Sequence, residues 1–135
     1  MKDVSRFLSL GSYAIAGVSR YPKKFGHAMF RDLRKKGMDV VPVNPAADTI
    51  DGVKCYRTVS ELPSEIRGII FMTPKEETLT VAREAIAHGI KDLWIQQGAE
   101  SKETVAALEK EDVNLIHSQC IMMFWKPDGI HSFHR

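Results

Sequence analysis

Five short apolar runs, separated by segments of helical periodicity, constrain the fold of this chain more than any other feature. Tyr13 to Val18, Asp39 to Val43, Gly68 to Met72, Asp92 to Ile95 and Asn114 to His117 have strand length and are mostly apolar, as strands covered on both faces of a parallel sheet are. Between the first two, Phe25, Ala28, Met29 and Leu33 fall at helical spacing, and Arg34, Lys35 and Lys36 place positive charge in the last turn before Gly37. A second helix is predicted after Thr73-Pro74, with Thr73 as its cap and Pro74 at the first helical position, burying Leu79, Ala82 and Ile86 until Gly89. A third follows Ser101, with Glu100 and Glu103 near its positive end. Asp51-Gly52 reads as a turn, and Ser60 to Leu62 supplies a short helical turn before Pro63. This alternation predicts an α/β fold: a Rossmann-like three-layer sandwich with a five-stranded parallel sheet in the order 3-2-1-4-5. The ligand crevice is then expected at the switch point between the first and fourth strands.

The length of 135 residues suits a single domain spanning residues 1–135, with 126–135 read as a mobile tail. Nineteen Lys and Arg against seventeen Asp and Glu leave a formal charge of +2, which argues against a nucleic-acid binder and makes any anion site a local one. Cys55 and Cys120 form no disulfide framework, and the expected compartment is the reducing cytoplasm. No apolar run approaches the ~18 residues that span a bilayer, so no membrane partner is expected.

The first strand runs into Gly17-Val18-Ser19-Arg20-Tyr21-Pro22-Lys23-Lys24-Phe25-Gly26. A helix starting near Lys24 points free backbone N–H groups into this loop, which makes an anion site. Ser19 adds a hydroxyl, Arg20, Lys23 and Lys24 add charge, and Gly17 and Gly26 allow close backbone approach. The spacing is neither Gly-x-Gly-x-x-Gly nor a Walker loop. At the end of the second strand, where dinucleotide enzymes place a carboxylate for the NAD ribose, the chain has Asn44-Pro45, with Asp48 farther on. Thr73-Pro74 and Gln96 to Ser101 follow the third and fourth strands on the same side of the sheet. Taken singly, each has a plain structural reading as a cap or a turn; their joint placement points to a ligand.

Together, Ile15 to Ser19, Lys24 to Gly26, Val41 to Pro45, Phe71 to Pro74 and Trp94 to Glu100 resemble the small, stand-alone CoA-binding domain family. That family is related in fold to the N-terminal CoA-binding domain of the succinyl-CoA synthetase α subunit. The resemblance implies coenzyme A as the cofactor, with Gly17, Val18, Ser19 and Arg20 against its diphosphate and Lys24, Phe25 and Gly26 completing the loop. It places Asn44 and Pro45 beside the adenosine, Thr73 and Pro74 along the nucleotide, and Gln97 and Gly98 by the pantetheine.

No nucleophile, base and orienting group compose a catalytic apparatus, and neither His117 with Cys120 nor His131 with His134 has the further ligands of a metal site. The function expected is binding of CoA or an acyl-CoA by a carrier or regulatory module. Its rivals are an NAD(P)-dependent oxidoreductase and a nucleotide-sensing interaction protein. Cys120 reads first as a small buried packing residue, with exchange against CoA disulfide as the sharper alternative. Met122-Met123-Phe124-Trp125 reads first as cover for the sheet, and otherwise as a homodimer or partner surface.

Overall fold

The computed structural model describes residues 2–21 and 23–126. The strands are β1 (Tyr13–Ala16), β2 (Val40–Val43), β3 (Thr49–Ile50), β4 (Val53–Lys54), β5 (Gly68–Phe71), β6 (Asp92–Ile95) and β7 (Asn114–Ile116). The helices are α1 (Val4–Leu8), α2 (Phe25–Lys35), α3 (Lys75–Ala87) and α4 (Lys102–Glu109). The five longer strands form one parallel sheet in the order β2-β1-β5-β6-β7, and β3 and β4 pair as a separate antiparallel hairpin. The α/β Rossmann-like class expected from the alternation is the class observed.

The strand order differs from the expectation. Numbered along the main sheet, the order is 2-1-3-4-5 and not 3-2-1-4-5, because the strand at Gly68 pairs with β1 on the side away from β2. The place outside β2 is taken by Tyr56, which makes a single parallel bridge to Val43. Tyr56 N–H donates to the Pro42 carbonyl at 3.0 Å, and Asn44 N–H to the Tyr56 carbonyl at 2.9 Å. One bridged residue carries no apolar run, so its edge position leaves no strand signal. The switch point therefore lies between β1 and β5, and the crevice opens there.

Side chains alternate across the sheet with the strand period of two. Ala14, Ala16, Ile69, Phe71, Leu93 and Ile95 point to a core that includes Ala82 and Ala85 of α3 and Leu108 of α4. Tyr13, Ile15, Ile70, Trp94 and Ile116 point to the other core, with Phe7 of α1 and Met29, Phe30 and Leu33 of α2. Over β6 and β7 on this second face no long helix lies among the described residues; the segment Ile121 to Trp125 covers it instead. Phe124 meets the Trp94 ring at 5.5 Å, Trp125 meets Tyr13 at 5.9 Å, and Trp125 Nε1 donates to the Lys36 carbonyl at 3.1 Å. Cover for the sheet is thus a role this cluster fills, although Met123 and Phe124 remain exposed. Most of the predicted tail, with His131 and His134, lies outside the described residues.

The short helix α1, which the apolar pattern does not reveal, is fastened to the opposite end of the sheet from the crevice. Asp3 caps it by accepting from Arg6 N–H at 2.9 Å. Arg6 in turn donates Nε and Nη2 to the buried Asp92 carboxylate at 2.9 and 3.1 Å. Asn114 Nδ2 donates to Asp92 at 3.1 Å and to the Asp3 carbonyl at 2.9 Å.

Candidate functional site

β1 ends one residue before Gly17, whose φ of +93° takes the chain out of the sheet. A Cβ on Gly17 would sit 2.6 Å from the Met72 carbonyl carbon and 2.7 Å from Thr73 N. The glycine therefore lets the exits of two neighbouring strands pass each other. Gly26, on the first turn of α2, lies close to the Gly17 carbonyl, with 3.2 Å left for a Cβ. These two contacts press the start of α2 against the ends of β1 and β5. Val18 is buried in the core and Ser19 is half-buried.

Side chains from elsewhere hold the loop's backbone. Asn44 Nδ2 donates to the Val18 carbonyl at 2.7 Å, while Asn44 Oδ1 accepts from Ala46 N–H at 2.6 Å. Ser19 Oγ accepts from Tyr21 N–H at 3.0 Å, leaving its own O–H to be donated. Lys24 is the N-cap of α2 and, among the described residues, no side-chain cap bond closes that end, so its positive end is open toward the loop.

The cavity at these strand ends measures about 590 Å³, within the range of small-molecule sites. Gly17, Ser19, Lys24, Phe25 and Gly26 form one wall, and Thr73 and Pro74 another. Gln97 and Gly98 form a third wall on the 3₁₀ turn Gln97–Ala99. The predicted residues Val18, Arg20, Asn44 and Pro45 do not line it. Arg20 lies over the Tyr21 ring at 5.3 Å and donates to the Ala46 carbonyl at 3.3 Å, beside the Asn44-Pro45 turn. Asp48 is engaged by Arg57 Nη2 at 2.6 Å.

Two expected roles change. Thr73 does not cap α3: Pro74 occupies the N-cap position, with no side-chain cap bond. Thr73 Oγ1 instead lies 2.6 Å from Thr78 Oγ1, which donates to the Ala99 carbonyl at 2.7 Å, and this chain joins the loop after β5 to the turn after β6. Cys120 is not a buried packing residue. It is partly exposed and lines the cavity, its Sγ accepting from Gln96 Nε2 at 3.3 Å.

Met72, Gln96, Ala99 and Cys120 also line the cavity and were not in the predicted set. Met72 and Gln96 directly follow strands, so the strand-end rule that selected Thr73 and Gln97 reaches them as well. From the sequence, Cys120, which follows β7, is a site candidate only through the alternative of exchange with CoA disulfide. It is brought in by Gln96, whose Oε1 accepts from Ile121 N–H at 2.9 Å, and by Trp94 Nε1, which donates to the Gln119 carbonyl at 3.0 Å. Glu100 adds a third tie to that loop, accepting from Ser118 N–H at 2.7 Å.

With this geometry in place, comparison with known proteins assigns the family. A family model described as a CoA binding domain matches residues 11–126. The chain belongs to the CoA-binding domain family. The domain is 30% identical over 126 residues to the acetate–CoA ligase (ADP-forming) II subunit alpha of Pyrococcus furiosus, covering 85% of this chain and 28% of that subunit. It is 27% identical over 108 residues to the uncharacterized protein YneT of Bacillus subtilis, covering 80% of each. Among solved structures, the conserved hypothetical protein Pfu-723267-001 from Pyrococcus furiosus is 46% identical and superposes with a TM-score of 0.79, over 82% of this chain and 96% of that one. The chain thus spans little more than a quarter of the ligase subunit and nearly the whole of the solved Pyrococcus furiosus protein. None of its described helices is long and apolar enough to cross a membrane.

Proposed function

We propose that the cavity between β1 and β5 holds coenzyme A, or an acyl-CoA, and that the protein is a binding, carrier or regulatory module for it. The observation that carries this reading is the open N-terminus of α2 at the wall of a 590 Å³ cavity in a member of the CoA-binding domain family. The diphosphate belongs at the Gly17 to Gly26 loop, where Ser19, Lys24 and the start of α2 line the cavity. The adenosine end then extends along the Asn44-Pro45 turn, where Arg20 supplies a cation for its 3′-phosphate. The pantetheine arm runs past Thr73 and Pro74 toward Gln97, Gly98 and Cys120.

An NAD ribose would find no ready carboxylate here. The Asn44 carboxamide is occupied by backbone on both sides, and Asp48 is paired with Arg57. Calorimetric titration with CoA, NAD and NADP tests the assignment. Saturable heat is expected with CoA, and weaker binding of the two dinucleotides. A folded protein that gives no heat with CoA would overturn it.

A further inference from the structure

His27 received no role from the sequence, yet its ring is buried, at 2% exposure, one position along α2 from the cavity wall at Gly26. Nδ1 lies 2.7 Å from the Ser19 carbonyl oxygen and Nε2 lies 3.0 Å from Asp51 Oδ1. A carbonyl oxygen can only accept. Burial pushes the Asp51 carboxyl up, but hydrogen bonds and charge from His27, and from Arg31 at 3.3 Å, outweigh it and hold the carboxyl below its usual range. Arg31 Nε donates to the other carboxylate oxygen, Oδ2, so Asp51 faces donors on both oxygens and accepts from the ring. With an acceptor against each nitrogen, the arrangement is satisfied in full only by a ring that donates from both.

The consequence reaches the loop through peptide geometry. In a trans peptide the C=O and N–H point in opposite directions. Asn44 draws the Val18 carbonyl to one side, and His27 draws the Ser19 carbonyl. The N–H groups of Ser19 and Arg20 are thereby turned away from Asn44 and His27.

We propose that His27, seated on Asp51, is a positioning residue for the phosphate loop: its doubly donating ring fixes the Ser19-Arg20 peptide, so anion binding by the loop follows the protonation of this ring. The inference rests on the reading of this loop as the diphosphate site. A ring with one proton can no longer donate to both Ser19 and Asp51, and the positive charge behind the loop is lost with it. The charged and titratable groups on the elements around His27 are Asp48, Asp51, Lys54 and Cys55 in and beside the β3–β4 hairpin, Lys24, Arg31, Asp32, Arg34 and Lys35 on α2 and its cap, and Arg20, Tyr21 and Lys23 in the loop.

The test uses the full chain, His27→Gln and Asp51→Asn, each verified as folded by thermal melting. CoA is titrated calorimetrically from about pH 5.5 to about pH 8.5. Imidazole and backbone ¹⁵N resonances of the ligand-free protein are followed over the same range. Taking the ratio of wild-type to variant affinity cancels the titration of CoA itself. The expected ratio for His27→Gln is about tenfold at the acidic end and falls toward one at the alkaline end, with the Ser19 and Arg20 amide resonances moving in step with the ring. Asp51→Asn should shift the pH at which the ring and those amides titrate. A ratio that stays constant with pH, or loop amides that ignore the ring, would overturn the proposal. Wild-type protein that binds no CoA overturns the ligand reading instead, and the ligand-free resonances then decide the loop coupling alone.

Discussion

A Cβ added to Gly17 collides with backbone at 2.6 Å, whereas one added to Gly98 meets nothing within 4 Å. Gly17→Ala combines a positive φ with a clash that no side-chain rotation relieves, and is expected to cost about 2–4 kcal/mol in urea unfolding. Gly98→Leu should leave the melting temperature within a degree or two, but fill the cavity and weaken CoA binding about tenfold or more, read by calorimetry. A folded Gly98→Leu that bound CoA as tightly as the wild type would show that the cavity is not where affinity resides. Asp51 allows a prediction of another kind. Its carboxyl titrates lower in the folded protein than in the unfolded chain. The stability it contributes is therefore present above about pH 4 and is lost as the pH falls through the lower folded value. Unfolding curves of the wild type and Asp51→Asn should be separated at neutral pH and converge in acid.

At the scale of elements, the second sheet face is closed by α1, α2 and the segment Ile121 to Trp125. Trp125 is half-buried against Tyr13 and bonds the Lys36 carbonyl. Trp125→Ala is expected to cost about 1–3 kcal/mol, less than a fully buried tryptophan because part of its surface is already wet. Chemical denaturation checks this, and an unchanged midpoint would show that the segment merely rests on the sheet. The helix at Lys24 was legible because Met29 and Leu33 fall at helical spacing on its buried face, although Phe25, grouped with them by the spacing, is exposed at the cavity wall. Helix α1 was not, since its five residues hold one buried side chain, Phe7, and its attachment depends on Asp92 and Asn114, far along the chain.

Over the whole molecule, the two cysteines report on the site. Cys55 is buried, and burial pushes its thiol pKa up, which removes thiolate and slows alkylation. Cys120 lies at the cavity wall. Iodoacetamide should therefore modify Cys120 first, and saturating CoA should slow that modification severalfold. Intact-mass spectra with and without CoA read both results. Equal labelling of Cys120 in the presence of CoA would place the ligand elsewhere.

Local pattern alone determined the α/β class, the five main strands, the strand-loop-helix at Gly17 to Gly26 and the strand-end loops that face one side of the sheet. Those features follow from period and turn chemistry, which neighbouring residues carry. The tertiary structure decided the order 2-1-3-4-5, through a bridge at Tyr56 too short to leave a pattern. It decided that Asn44 holds the loop by its backbone, that Thr73 ties two loops together, and that Cys120 reaches the cavity. It also seated His27 between Ser19 and Asp51. Each of these is a contact between residues distant in sequence, whose partners are chosen only when the sheet has brought them together.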